Sequence, residues 1–339
     1  MNIIIDCMSG DNAPEEIVKG ALDGAAKYGV TPVLVGEEAA IRAVAQKNKL
    51  SLEGARIVNA AGPHITMEDA PVDVMNAEKA QSSMAVALDL LKSGEGDALV
   101  SAGNTGALLT GATLKIRRIK GVRRAALGAI IPLGSPTMLA DAGAQTYCTP
   151  ENLVLFAVMG SLFMEKVMGI ERPKVALINN GAEEHKGTPL QSEAYQLLKA
   201  DKSLNFVGNI EGREIPEGNA DVLVADGFTG NIVLKMCEGL GIFVKSTLKK
   251  LFYRNALSKV GALFVKGSLD KLKKEMDYSE YGGAPFLGIA KPVIKAHGTS
   301  NAKSISYCVL QAKNYATSGM IDEIARFAAE QAAASTNKE

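Results

Sequence analysis

Five glycine-containing segments carry the residues able to do chemistry. Asp6 leads into Met8-Ser9-Gly10-Asp11-Asn12-Ala13-Pro14, and Ser101 into Ala102-Gly103-Asn104-Thr105-Gly106-Ala107. The same pattern recurs at Asp141-Ala142-Gly143-Ala144, across residues 179–187 (with Glu183, His185 and Lys186), and at Asp226-Gly227-Phe228-Thr229-Gly230-Asn231. Each is a short apolar run that ends in a carboxylate, amide or hydroxyl and then turns. One such tip is an ordinary turn or helix cap. Five in one chain predict a shared polar pocket.

Residues 101–107 have the plainest physics. A small turn between a strand and a helix frees backbone N–H groups at the helix N-terminus, where the macrodipole also favours an anion. Asn104 and Thr105 would add side-chain donors; the competing reading is a helix N-cap with close glycine packing. No G-x-G-x-x-G or G-x-x-x-x-G-K-[ST] motif is present, so dinucleotide and P-loop nucleotide sites lose ground to a small anion such as phosphate. His297 follows the apolar residues 292–294 and resembles another strand end, whereas His64 reads as a surface turn. Cys7, Cys148, Cys237 and Cys308 are far apart, with no metal-site spacing. Neither a metal nor an organic cofactor is expected.

The elements that must hold these tips follow from apolar periodicity. Strands are expected over 2–6, 32–35, 56–58, 98–101, 126–131, 137–141, 174–179, 205–207 and 222–226. Amphipathic helices are expected over 15–27, 82–92, 105–116, 150–168, 190–199 and 230–250. The alternation implies an α/β fold with a doubly wound, mostly parallel sheet. Ligands of such a sheet bind beyond the carboxyl ends of the strands. We expect a single large α/β domain over 1–335, with a helical excursion at about 240–276.

The chain has 339 residues, of which 37 are Lys or Arg and 37 Asp or Glu. Zero net charge, 5% aromatic residues and no Trp exclude a protein whose business is coating nucleic acid. The N-terminus lacks signal-peptide character, and no run approaches the ~20 consecutive apolar residues of a membrane span. The expectation is a cytoplasmic protein whose membrane contact is peripheral. Against the balanced total, residues 245–274 carry nine basic side chains and one acid. Leu248, Phe252, Val260, Leu263 and Phe264 lie near one helical stripe there. Lys249, Lys250, Phe252, Arg254, Lys259, Leu263 and Phe264 are the candidate contacts to anionic lipid or an acidic protein partner. A solvated basic face over a stripe packed in a core or homodimer is the competing reading.

These segments together resemble the PlsX-type phosphate acyltransferases over nearly the whole chain. The resemblance rests on residues 6–14, Ser82-Ser83-Met84, 101–107, Arg118-Ile119-Lys120-Gly121, Met159-Gly160-Ser161, Lys186-Gly187, 205–213, 226–231, 281–288 and His297-Gly298. Cys7, Ser9 and Asn12 depart from the family's usual Ala, Gly and His. The resemblance implies a fold like that of phosphotransacetylases and isocitrate-type dehydrogenases, a homodimer, and peripheral association with the inner face of the cell membrane. It implies conversion of fatty acyl-acyl carrier protein and inorganic phosphate to acyl phosphate, feeding phospholipid synthesis.

By the same resemblance, Lys186 and Asn231 would stabilise charge on the carbonyl oxygen or the phosphate. His297 would donate a proton to the leaving thiolate or bind phosphate. Asp6, Gly10, Asp11, Ser101, Gly103, Asn104, Thr105, Gly106, Asp226 and Gly230 would form the substrate-binding tips, the aspartates orienting rather than attacking. Rival readings are an acyl-coenzyme A phosphotransacylase, a non-catalytic membrane or carrier-protein adaptor and, more weakly, an NAD-linked dehydrogenase.

Overall fold

The computed structural model describes residues 1–133, 135–275 and 281–336. Its strands are β1 (Asn2–Asp6), β2 (Thr31–Gly36), β3 (Arg56–Asn59), β4 (Ala98–Ser101), β5 (Ala126–Leu127) and β6 (Ala129–Leu133). They continue with β7 (Ser135–Ala140), β8 (Lys174–Asn179), β9 (Asn205–Glu211), β10 (Val222–Val224), β11 (Ala284–Leu287) and β12 (Val293–Lys295). The helices are α1 (Glu15–Tyr28), α2 (Glu38–Lys47), α3 (Ser83–Ser93), α4 (Thr105–Gly111) and α5 (Pro150–Lys166). The later ones are α6 (Pro189–Ala200), α7 (Gly227–Phe252), α8 (Ala256–Glu275), α9 (Ala302–Thr317) and α10 (Met320–Thr336).

The α/β alternation is present, but the strands form two sheets where one was expected. The first runs β3-β2-β1-β4-β12-β11-β5 and the second β6-β7-β10-β8-β9. Both are mostly parallel; β11 runs antiparallel to β12 and β5, and β6 antiparallel to β7. The run expected as one strand over 126–131 divides at Gly128, so β5 closes the first sheet and β6 opens the second. Nothing local in that apolar run announces the change of partner. β11 was not expected either, because its Gly-Gly-Ala-Pro entry lacks the alternation of a half-buried strand.

Packing explains the centre of the first sheet. Ile3, Ile4 and Ile5 are all fully buried, as befits a parallel strand covered on both faces. On one face α1 lies so close to α9 that a methyl group at Gly20 would stand 2.4 Å from the Ala302 carbonyl oxygen. One continuous buried cluster joins residues of both sheets, including Ile5 and Val100 of the first and Val175 and Val224 of the second.

Candidate active site

Three adjacent parallel strands of the first sheet end in one row: Asp6 pairs in register with Ser101, and Ser101 with Lys295. The fully buried Asp6 carboxylate accepts hydrogen bonds from Ser83 Oγ (2.6 Å) and Ser101 Oγ (2.7 Å). Ser101 Oγ also accepts the Gly103 N–H at 3.2 Å. Both side chains are thus spent on tying the β4–α4 turn to the start of α3. Beyond the strands the turns close on one another. The Asp11 N–H donates to the Gly298 carbonyl at 2.8 Å, and a methyl at Gly10 would meet Ala102 Cβ at 2.8 Å. Gly10 also has φ +104°, which side-chain-bearing residues rarely adopt.

Asn104 departs from expectation. Its amide donates to the carbonyls of Thr66 (3.1 Å), Met67 (3.4 Å) and Asp69 (3.1 Å), while its Oδ1 accepts the Ala107 N–H at 3.1 Å. The donors expected to meet an anion instead strap down residues 66–69, and the side chain is an N-cap. Thr105 and Asp11 make no side-chain hydrogen bond among the described residues. They sit on either side of the same turn cluster.

Lys295 is not among the site residues expected from the sequence. It is buried (8% exposed), with Nζ against the carbonyl oxygens of Ala102 (3.4 Å) and Ala296. Two residues on, His297 Nδ1 lies 2.8 Å from Thr299 Oγ1 and accepts the Thr299 N–H at 3.2 Å. Partial desolvation holds the imidazole below its usual pKa, with Glu238 and Asp11 pulling the other way. At neutral pH the ring is therefore neutral. With Nδ1 accepting, its proton resides on Nε2.

The second sheet supplies the facing wall. Asp141, directly after β7, is fully buried; its Oδ1 accepts N–H groups from Leu127 (2.8 Å), Gly143 (3.1 Å) and Ala144 (3.0 Å), and its Oδ2 one from Gln145 (2.6 Å). Leu127 lies in β5, so this single carboxylate fastens the second sheet's turn to the first sheet. Asp226 caps α7, accepting the N–H groups of Phe228 (3.0 Å) and Thr229 (2.9 Å). Gly230 lets α7 approach the Asp141 backbone, and Asn231 comes beside Gly143, where a methyl would stand 3.3 Å from its Oδ1. About three turns into α7, Lys235 and Glu238 enter the electrostatic surroundings of Lys295 and His297. The helix that starts at one sheet's strand ends thus reaches the other's.

Lys186 lies in the turn after β8. Asn179 Nδ2 donates to its carbonyl oxygen (3.0 Å), and Gly181 makes room for its stem. Neither the Lys186 ammonium nor the Asn231 amide makes a hydrogen bond or ion pair among the described residues. No hydrogen bond links Lys186 to the α7 or β12 groups. His185 lines a groove with Glu151, Glu184 and Glu193, an acidic surface unsuited to phosphate.

The basic segment lies on two successive helices, α7 and α8, the first of which starts well before residue 240. Lys249, Lys250, Arg254 and Lys259 are exposed and Phe252 is half-buried. Phe264 is 86% exposed; the side chain of Leu263 lies outside the described residues. Phe228, Ile232, Met236 and Leu240, each four residues apart on α7, are all exposed as well. Among the described residues, then, nothing covers the apolar stripe. By length and composition α7 is also apolar enough to cross a membrane. Counting consecutive apolar residues misses it, because Lys235 and Glu238 interrupt the run.

A family model described as "Fatty acid synthesis protein" matches residues 1–323. The chain is 48% identical over 327 residues to the phosphate acyltransferase of Thermoanaerobacter pseudethanolicus, covering 96% of each. It is 43% identical over 329 residues to that of Clostridioides difficile, again covering 96% of each. Among solved structures, a phosphotransacetylase from Streptococcus pyogenes superposes with a TM-score of 0.65 at 18% identity, over 93% of this chain and 94% of that one. The EutD phosphotransacetylase from Staphylococcus aureus gives 0.62 at 17%, with the same coverage. These two likenesses concern the fold: an α/β architecture of mostly parallel strands. With nearly half of its residues shared along almost its entire length, the chain belongs to the phosphate acyltransferase family of fatty acid synthesis proteins.

Proposed function

We propose that this enzyme transfers a fatty acyl group from acyl carrier protein to inorganic phosphate, releasing acyl phosphate for phospholipid synthesis. A phosphate oxygen attacks the thioester carbonyl, a tetrahedral oxyanion forms, and the phosphopantetheine thiolate departs. Inorganic phosphate is about half dianionic at neutral pH, its second pKa lying roughly one unit above the ~6 of a phosphomonoester. A thiol of pKa about 8.5 is a fair leaving group. Neither step needs a strong base, so the work lies in holding a dianion and stabilising an oxyanion. Lys186 and Asn231 stabilise the developing charge, and the Nε2–H of His297 donates to the leaving sulfur or to phosphate. The turns carrying Gly10, Asp11, Gly103, Thr105, Gly106 and Gly230 shape the pocket, which Asp6, Ser101, Asn104 and Asp226 brace. The observation carrying this reading is that, among the described residues, Lys186 and Asn231 keep their polar groups uncommitted while Asp6, Ser101, Asn104 and Asp226 spend theirs on the fold.

The same proposal makes the chain one large domain over 1–335, a cytoplasmic homodimer at the inner face of the membrane. The bare apolar stripe of α7 and the lysines beside it support a docking role for α7 and α8 towards acyl carrier protein and anionic lipid. Incubating the full-length protein with acyl-acyl carrier protein and labelled phosphate, without nucleotide, is expected to yield acyl phosphate. Acyl-coenzyme A in a parallel reaction should be the poorer donor. No product from either thioester sinks the reading, and a preference for coenzyme A turns it to the phosphotransacylase. Neutralising Lys249, Lys250, Arg254 and Lys259 to Gln should weaken sedimentation with phosphatidylglycerol vesicles by about 10³-fold, at about 1 kcal/mol per charge lost. Unchanged sedimentation would remove lipid from the partners.

A further inference from the structure

We propose that Lys295 is a phosphate-binding residue, its buried ammonium serving the dianion at the turn between β4 and α4. The proposal deepens the reading of the chain as a phosphate acyltransferase and rests on it. Its first support is placement. Lys295 ends β12, an interior strand beside the central β4 and in register with Ser101, where the turns after β1, β4 and β12 meet: Gly10 against Ala102, Gly103 against Ser9, Asp11 against Gly298.

Its second support is an incomplete set of partners. An ammonium has three N–H donors. Here they find two backbone carbonyls, those of Ala102 at 3.4 Å and Ala296, and, among the described residues, no carboxylate within ion-pair distance. Asp6, the nearest acid in the row, already accepts two serine hydroxyls. A buried cation left this way is costly, and a neutral side chain would tie the same carbonyls at less expense. Burial accordingly brings its pKa down to about 8, Asp6 and Asp11 resisting and Lys235 assisting. It remains mostly charged at neutral pH, which suits a group awaiting an anion.

The test uses the full-length protein, Lys295→Met and Lys295→Arg, with inorganic phosphate as the probe. Lys295→Met is expected to melt at or above the wild-type temperature without phosphate and to lose the phosphate-induced rise in melting temperature. Its KM for phosphate should increase about 10- to 100-fold, the loss of one charged hydrogen bond, while KM for acyl-acyl carrier protein stays within about twofold. Lys295→Arg should recover part of the phosphate response.

Wild-type affinity for the phosphate dianion, with the remaining monoanion (second pKa about 7) corrected for, should weaken as pH rises through about 8. The groups around Lys295 in that titration are Asp6 on β1, Asp11 in the next turn, Lys235 on α7, Cys308 on α9 and the neighbouring His297. A Lys295→Met variant that keeps its phosphate response and KM overturns the proposal. So does a melting temperature well below wild type with phosphate binding intact, which marks a purely structural lysine. Wild-type affinity that is flat between pH 7.5 and 9.5 overturns it without any variant. If the wild type neither binds phosphate nor makes acyl phosphate, it is the functional reading that fails.

Discussion

Lys186→Ala is expected to lower kcat/KM for acyl phosphate formation by about 10²- to 10³-fold, the scale of removing one preorganised oxyanion donor, while leaving the melting temperature unchanged. The two halves of that expectation come from different atoms. The Lys186 backbone is held by Asn179 through its carbonyl, a contact that alanine retains. The ammonium makes no ion pair among the described residues, so truncation strands no buried partner. Activity should fall because charge developing on the carbonyl oxygen or phosphate loses its cation. Asn231→Ala should behave in the same way. Its amide is also uncommitted, and it sits on an exposed helical position where alanine is a better helix former. Near-normal turnover in both variants, each with a wild-type melting curve, would falsify the assignment of charge stabilisation to these residues.

Gly230→Ala is the corresponding expectation for stability. A methyl group there would lie 1.9 Å from the Asp141 carbonyl oxygen and 3.0 Å from its carbon. Both are backbone atoms, so no rotamer change relieves the collision. Either the first turn of α7 or the 141–145 turn must move, and the latter is fastened by four N–H bonds to the Asp141 carboxylate. The loss should be about 3 kcal/mol or more, the upper range for overpacking with broken buried hydrogen bonds. Acyl phosphate formation should fall with it, since Asn231 is the next residue. Urea denaturation of Gly239→Ala supplies the contrast. Beyond the helix's own backbone, no atom of the described residues lies within 4 Å of a methyl at that position, so alanine should stabilise by ~1 kcal/mol through helix propensity alone. Equal midpoints for the two variants would show that close approach of α7 to Asp141 has no energetic weight.

Much of the architecture was legible because its signals are local. The fully apolar run at residues 3–5 marks a strand buried on both faces, and Pro150 marks the first turn of a helix. Gly10 signals a turn needing positive φ within a few residues of the strand that enters it. Family motifs extended this to Lys186 and Asn231, whose polar groups make no hydrogen bond among the described residues.

What local patterns do not carry is the identity of partners distant in sequence. Asn104 has the composition of an anion-binding donor, yet residues 35 to 38 positions earlier take its amide. Asp6 and Ser101 satisfy each other across 95 positions. Strand 126–131 divides between two sheets because β11, over 150 residues later, pairs with only its first half. The amphipathic pattern of α7 announces an apolar stripe without saying whether anything covers it.

The amino-acid order therefore determined which residues are polar tips, which segments are strands or helices, and to which family the chain belongs. Three matters were decided only by tertiary packing: which polar tips keep a hydrogen-bonding group uncommitted among the described residues, that the Lys295 side chain is buried, and that the strands form two sheets rather than one. The reason is physical. Secondary structure and turns answer to neighbours a few residues away, whereas desolvation and the saturation of hydrogen bonds depend on whatever surface the whole fold brings alongside.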